Sequence, residues 1–195
     1  MKESIKSCQT FSKDSLRSFL VKKRLNMSDS EIAIKSNSLQ ELFLEKISSD
    51  NSIHSIALYS SINKEVRTGC IHNNLILNNK KIFYPKIVGN NLKFVESNNL
   101  NAFSVGKFNI MEPESDKYAL LGDIDLFVLP SVGIGSLGKR LGYGGGFYDR
   151  VLSSIKKEKI CSFIYDFQVI ENFFGENHDI EASKVFTEKR VIYFN

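Results

Sequence analysis

The chain has no tryptophan and, in 195 residues, only three prolines, three cysteines and three histidines. The scarcity of cysteine and of histidine each removes a class of function. Cys8, Cys70 and Cys161 are odd in number and far apart, so they outline neither a disulfide framework nor a C-x-x-C pair. Reduced thiols in a cytoplasmic protein are the expectation. His54, His72 and His178 are equally scattered, which argues against a zinc cluster. There is no N-terminal apolar segment and no apolar run of about 18 residues, so neither secretion nor membrane spanning is expected. No internal repeat, linker or low-complexity tract interrupts the chain. No stretch concentrates basic and aromatic residues, so no nucleic-acid partner is expected. A net charge of +4 suits an anionic small molecule.

What is present reads as one folded unit. Hydrophobic residues make up 42% of the chain and charged residues 25%, a composition that does not indicate disorder. The expectation is a single α/β domain over residues 1–195, with N-terminal helices at about 12–49 packed on it. Ser12 can cap a first helix carrying Leu16, Phe19 and Leu20 at helical spacing. Ser28 and Glu31 form a capping-box pattern opening a second, with Ile32, Leu39, Phe43 and Ile47 on its apolar stripe. Residues 55–59 read as a buried strand, followed from about Glu65 by a helix through about Leu77. Residues 81–88 and 92–95 read as a hairpin around Gly89, with Pro85 suggesting an edge position. Further strands are expected at 126–129, 160–165, 185–186 and 191–194. Alternation of strand and helix predicts a mainly parallel sheet between helical layers, a three-layer sandwich.

Residues 126–150 organise the rest. Seven of the twelve glycines fall between Gly133 and Gly146, between the run Leu126-Phe127-Val128-Leu129 and an expected helix from Phe147 to about Ile155. Such a turn offers free backbone N–H groups to an anion. Two familiar phosphate motifs fail here. Gly133, Gly135 and Gly138 spell G-x-G-x-x-G, and Gly133, Gly138 and Lys139 spell most of a P-loop with Arg140 where Ser or Thr belongs. Both need a helix starting near residue 137, which Gly142, Gly144, Gly145 and Gly146 would break, at about 1 kcal/mol each. The specific chemistry lies further on. Lys139 and Arg140 bring charge, the glycines from 142 to 146 let amides approach an anion, and Asp149 stands where it can face a magnesium ion bridging phosphates.

The run Arg140-Leu141-Gly142-Tyr143-Gly144-Gly145-Gly146-Phe147-Tyr148-Asp149 resembles the R-L-G-x-G-x-G-Y-Y-D signature of the 5-formyltetrahydrofolate cyclo-ligase family. Leu129-Pro130 and Gly138 fit its upstream portion, and Lys13-Asp14-Ser15-Leu16-Arg17 fits the family's K-x-x-L-R segment. Residues 108–113 resemble its segment ending I-x-E-P. The resemblance implies ATP-dependent closure of 5-formyltetrahydrofolate to 5,10-methenyltetrahydrofolate through phosphorylation of the formyl oxygen. It also implies a fold of the ribose-5-phosphate isomerase and CoA-transferase type. The ATP contacts it implies are Lys13, Asp14, Ser15, Leu16, Arg17, Gly138, and Arg140 through Tyr148. The implied catalytic groups are Arg140, Lys13 and Tyr148. Ser60, Glu65 and Tyr148 are the implied folate contacts, and Asp149 and Asp179 the implied magnesium ligands. The implied partners are ATP and a folate, including polyglutamylated forms, acting on a monomer.

Read from the residues alone, several positions keep a second meaning. Lys13 and Arg17 also suit a solvated basic helix face. Glu65 also suits a helix N-terminus, and Asp179 an ordinary loop acid. Three departures from the family pattern stand out: Ile134-Gly135 in place of Phe-Asp, Phe147 in place of Tyr, and Arg67 in place of an acid. The alternatives are a non-catalytic folate- or nucleotide-binding module and a sugar-phosphate isomerase on the same fold.

Overall fold

The structure, a computed structural model, describes residues 12–48 and 50–194; Cys8 lies outside them. Helix α1 (Lys13–Leu25) begins at Ser12, whose hydroxyl accepts the Ser15 N–H at 3.2 Å. The expected capping box opens α2 (Asp29–Ser48): Glu31 N–H reaches Ser28 Oγ at 3.2 Å, and Ser28 N–H reaches Glu31 Oε2 at 2.8 Å. Ile32, Leu39, Phe43 and Ile47 are buried along one face of α2.

The chain then builds a seven-stranded sheet in the order β12-β11-β9-β6-β1-β2-β3. These strands are β1 (Ser55–Ala57), β2 (Lys81–Val88), β3 (Asn91–Glu96), β6 (Leu126–Pro130), β9 (Ile160–Phe163), β11 (Lys184–Phe186) and β12 (Val191–Tyr193). The inner pairings are parallel, and only β2–β3 and β11–β12, at the two edges, are antiparallel. A two-stranded ribbon of β4 (Phe103–Val105) and β5 (Met111–Pro113) stands apart.

Strand alternation sorts the core onto two faces. Ile56, Val128 and Phe163 pack with α2 and with α3 (Gly69–Leu77). Phe43 of α2 meets Phe163 and Phe186 edge-on, at 5.0 and 5.2 Å between centroids. On the other face, Ala57, Phe127, Leu129 and Ile160 pack with Leu152, Ile180 and the partly buried Phe147, Tyr148 and Val151 of α4 (Phe147–Val151).

Four expectations need correction. The helix expected from Glu65 starts at Gly69: the Arg67 N–H is taken by Ser36 Oγ of α2 at 3.1 Å and Thr68 Oγ1 donates to the Tyr59 carbonyl at 3.1 Å, which holds this stretch against its neighbours. The helix expected to reach Ile155 stops at Val151, where Ser153 Oγ turns back onto the Arg150 carbonyl at 3.1 Å. Pro85 is not on an edge strand, since β2 lies between β1 and β3. The β1 ladder ends at Phe83, so Pro85 opposes only Phe94 of β3 and no second ladder needs its missing N–H. Finally, the glycine stretch is not all loop. Strands β7 (Gly133–Gly135) and β8 (Arg140–Leu141) form a hairpin, and β10 (Val169–Ile170) joins β7 in parallel. Leu16, Leu20 and Val21 of α1 pack here against Val132, Leu141, Ile170 and Phe173.

Candidate active site

From β1 the chain moves to β2 on one side and returns later to β6 on the other, so the strand order reverses between β1 and β6. In open α/β sheets a crevice forms at the carboxyl ends of strands at such a point. Here it is a cleft of about 410 Å³, lined by residues following β1, by the last residue of β6, by the second half of β2, by the β4–β5 ribbon and by the glycine segment. Its volume is that of a small-molecule site. Pro85, Ile87, Leu92, Phe108 and Ile110 give it apolar walls, with Tyr59, Phe147 and Tyr148 adding rings.

The charged groups are few and each is held. Arg140 is only 5% exposed, so its guanidinium is fixed from several sides. Its Nε donates to the Pro130 carbonyl at 2.9 Å, its Nη1 lies 3.6 Å from Asp149 Oδ2, and it sits 5.1 Å from the Tyr148 ring centroid. A Cβ on Gly142 would come within 2.7 Å of the Arg140 Nη1, so the missing side chain at 142 is the room this guanidinium occupies. Gly146, at φ 64°, turns the chain into α4 through a conformation that disfavours side chains. Asp149 also accepts the Ile180 N–H at 3.2 Å.

Glu65, 4% exposed, stands in the loop after β1, its Oε2 accepting the Ile62 N–H at 3.0 Å. Burial pushes its carboxyl above the usual glutamate range; Arg24, the Ile62 N–H and the Tyr143 hydroxyl pull against that. Burial likewise raises Glu112, against the Ile87 N–H, which it accepts at 3.2 Å. Tyr143 is pushed up to about 12, first by burial and then by the charge of Glu65. Burial also raises Tyr148. Ser60 lines the cleft and donates to the Met111 carbonyl at 2.6 Å, tying the β4–β5 ribbon to the β1 side. The ribbon tip brings Phe108 to the Phe147 ring at 6.0 Å.

Of the expected site residues, the cleft gathers Ser60, Glu65, Arg140, Gly142, Tyr143, Gly145, Gly146, Phe147, Tyr148 and Asp149. The α1 residues border the glycine segment instead. Arg17 Nε donates to the Gly142 carbonyl at 2.8 Å, and its guanidinium also flanks Gly144. Lys13 Nζ binds Asp179 Oδ2 at 2.6 Å and Glu176 Oε1 at 3.2 Å. Burial alone would lower the Lys13 pKa, but the two carboxylates outweigh it and hold it above the usual value. Asp14 pairs with Arg17, Ser15 completes the helix cap, and Leu16 packs into the α1 core. Gly138 and Leu141 do not line the cleft. Gly138 makes the β7–β8 turn, where a Cβ would fall 2.5 Å from the Ala182 carbonyl, and Leu141 is buried beneath α1.

A second depression, of about 550 Å³, is lined by Lys139, Arg150, Lys157, His178 and Asp179 among others. Asp149 borders both cavities. Among the described residues, no group of three or more His, Cys, Asp or Glu side chains is arranged to hold a metal ion.

The sequence reading missed Arg24, which is 1% exposed behind the cleft. The available signal was its place four residues after Leu20 and eight after Leu16, a cation continuing an apolar stripe.

Residues 9–188 match the model of the 5-formyltetrahydrofolate cyclo-ligase family. The chain is similar to the 5-formyltetrahydrofolate cyclo-ligase of Mycoplasma genitalium, with 30% identity over 162 residues, 82% of this chain and 88% of the relative. It is similar to that of Escherichia coli strain K12, with 28% identity over 145 residues, 71% and 80% of the two chains. Among solved structures, 5,10-methenyltetrahydrofolate synthetase of Aquifex aeolicus superposes with a TM-score of 0.81 at 30% identity, covering 93% of this chain and 92% of the other. The Mycoplasma pneumoniae synthetase shares the fold, with a TM-score of 0.77 at 23% identity over 91% and 99% of the two chains.

Proposed function

The chain belongs to the 5-formyltetrahydrofolate cyclo-ligase family, and we propose that the cleft at the β1–β6 reversal is where its ATP-dependent conversion of 5-formyltetrahydrofolate takes place. One observation carries the assignment of the cleft. A single cavity combines apolar and aromatic walls and a buried carboxylate, Glu65, with a glycine segment backed by Arg140 and Asp149. The first set suits a fused ring bearing amino and amide N–H groups, because a carboxylate accepts paired hydrogen bonds from it. The second suits a phosphoryl group in transfer, which needs positioning and charge neutralisation more than a protein nucleophile.

In this reading Glu65 holds the pterin edge, Ser60 and Tyr148 contact the folate, and Phe108 and Phe147 cover it. The glycine segment, with Lys13 and Arg17 from α1, takes the triphosphate. The formyl oxygen attacks the terminal phosphorus and the bond to ADP breaks. Arg140 faces the charge that builds on the transferring group, a role for which one well-placed donor is worth roughly 3–4 kcal/mol of barrier. N10 of the folate then attacks the activated carbon and loses its proton to the departing phosphate as the carbon–oxygen bond breaks. The ring is closed, and ADP and phosphate are released.

Asp149 and Asp179 are the residues that would hold magnesium. Each carboxylate already faces protein donors, so they suit an ion that arrives on the phosphates and keeps one or two protein ligands, not a preformed cage. When bound, the ion would neutralise charge on the phosphate oxygens. A monomer in the cytoplasm, built on the ribose-5-phosphate isomerase and CoA-transferase type of sheet, completes the proposal. No helix among the described residues is long and apolar enough to cross a membrane.

The test is direct. Purified protein with MgATP and 5-formyltetrahydrofolate is expected to produce the near-ultraviolet absorption of the methenyl product together with ADP, in equal amounts. Absence of folate-dependent ADP release would overturn the reading.

A further inference from the structure

We propose that Arg24 is a positioning residue that ties the folate carboxylate Glu65 to the phosphate-binding glycine segment through Tyr143, so that each half of the site sets the other. The inference rests on the reading of the cleft given above.

Arg24 sits in the last turn of α1, at 1% exposure, and its polar partners Asn63, Ser131, Tyr143 and Glu65 line the cleft or adjoin a residue that does. Its Nε donates to the Asn63 carbonyl at 2.9 Å and its Nη1 to the Ser131 carbonyl at 3.5 Å. Its Nη2 donates to the Tyr143 hydroxyl and lies 3.9 Å from Glu65 Oε1. Asn63, Glu65 and Tyr143 all line the cleft, and Ser131 follows Pro130, which lines it too. Three chain segments therefore meet on one guanidinium: the loop after β1, the end of β6 and the glycine segment. An arginine kept only for stability has no need of this. A buried cation is costly to hold, and an apolar side chain of similar volume is often as stabilising. The planar five-donor fork instead suits a part that must orient several acceptors at once.

The link runs through the state of Glu65. Arg24 from α1 and Arg140 from β8 act on it by charge and Tyr143 by a hydrogen bond, while Tyr59 and Tyr148 are neutral hydroxyls that burial, and after it the charge of Glu65, holds up. Burial opposes its ionisation and Arg24 is the foremost group favouring it. Tyr143 bonds the same guanidinium while its backbone stays in the glycine segment, between Gly142 and Gly144.

The experiment compares wild type, Arg24→Met, Arg24→Lys and Tyr143→Phe, measuring kcat and both KM values across pH. In Arg24→Met the acid limb of kcat/KM for the folate is expected to move up by about one pH unit, with KM for folate and KM for ATP each rising about tenfold. Arg24→Lys is expected to restore the acid limb but not KM for ATP, because an ammonium replaces the charge and not the fork. Tyr143→Phe removes no buried charge and keeps the result readable if Arg24→Met does not fold. It is expected to raise both KM values about threefold and move the acid limb the same way. Wild-type turnover with an unmoved acid limb and unchanged KM values in Tyr143→Phe would overturn the coupling alone. Wild type without turnover would overturn the reading of the cleft, and this inference with it.

Discussion

Arg140 Nη1 and Asp149 Oδ2 lie 3.6 Å apart, so the cation proposed for the transferring phosphate already faces the carboxylate proposed for magnesium. At that separation the pair is electrostatic and not a hydrogen bond. Their mutual contact can be given up to a ligand while Arg140 keeps its bond to the Pro130 carbonyl and Asp149 keeps the Ile180 N–H. Asp149→Asn is therefore expected to lower kcat by about 100- to 1000-fold. The variant should retain the wild-type circular dichroism spectrum. Turnover at the wild-type rate under limiting magnesium would remove Asp149 from the site.

Gly142→Ala tests the space beside the same guanidinium. The added methyl would stand 2.7 Å from the Arg140 Nη1, so the guanidinium must move by a few tenths of an ångström against the contacts that hold it. Activity is expected to fall further than stability does. The measurement is kcat/KM beside urea denaturation, with about 1 kcal/mol or less lost in the latter.

Gly135 is one of the three departures from the resembled pattern, and the structure leaves no room there for a side chain. A Cβ there would meet the Phe173 carbonyl oxygen at 1.9 Å, a backbone atom that cannot turn aside. Gly135→Asp is expected to cost at least about 1–3 kcal/mol by overpacking and to bring no gain in turnover. A variant as stable as wild type, or faster, would show that the segment around Phe173 yields more easily than its packing implies.

Glu112 gives a pH-dependent prediction. Burial raises its carboxyl pKa in the folded chain above the unfolded value, so the charged form is the disfavoured one. The penalty is absent well below the unfolded value of about 4.3, where both states are protonated. It grows as pH rises and is complete above the raised folded value. Glu112→Gln keeps an oxygen for the Ile87 N–H and is expected to raise Tm at neutral pH but not in acid. An equal Tm difference at both pH values would count against it.

Chelation separates metal from fold. Because Asp149 and Asp179 are held by Ile180, Arg140, Lys13 and Glu176, excess EDTA is expected to stop turnover and leave Tm unchanged. A large fall in Tm would point to a structural ion.

Much of this was legible in the sequence because it is local. The Ser28–Glu31 box, the buried stripe of α2 and the Gly89 hairpin depend on residues a few positions apart, and all three appear as expected. The segment from Arg140 to Asp149 was also readable, since its glycines are unusable for most other purposes. What escaped depends on distant partners. Nothing near Gly133 announces that β10, more than thirty residues later, converts part of the glycine stretch into a sheet. Nothing near Glu65 announces that Ser36, some thirty residues earlier, will take the Arg67 N–H before the helix begins. Arg24 stands among several lysines and arginines ending α1; its place on the Leu16–Leu20 stripe marks it as inward, but its partners Asn63, Ser131 and Tyr143 lie far along the chain.

The bond from Lys13 to Asp179 spans 166 positions of the chain, and this has a consequence in time. A ribosome that has released the first helix still has nearly the whole polypeptide to make before that lysine meets its carboxylate. If the proposed nucleotide contacts hold, competence arrives late in synthesis, and truncated chains would lack the means to spend ATP.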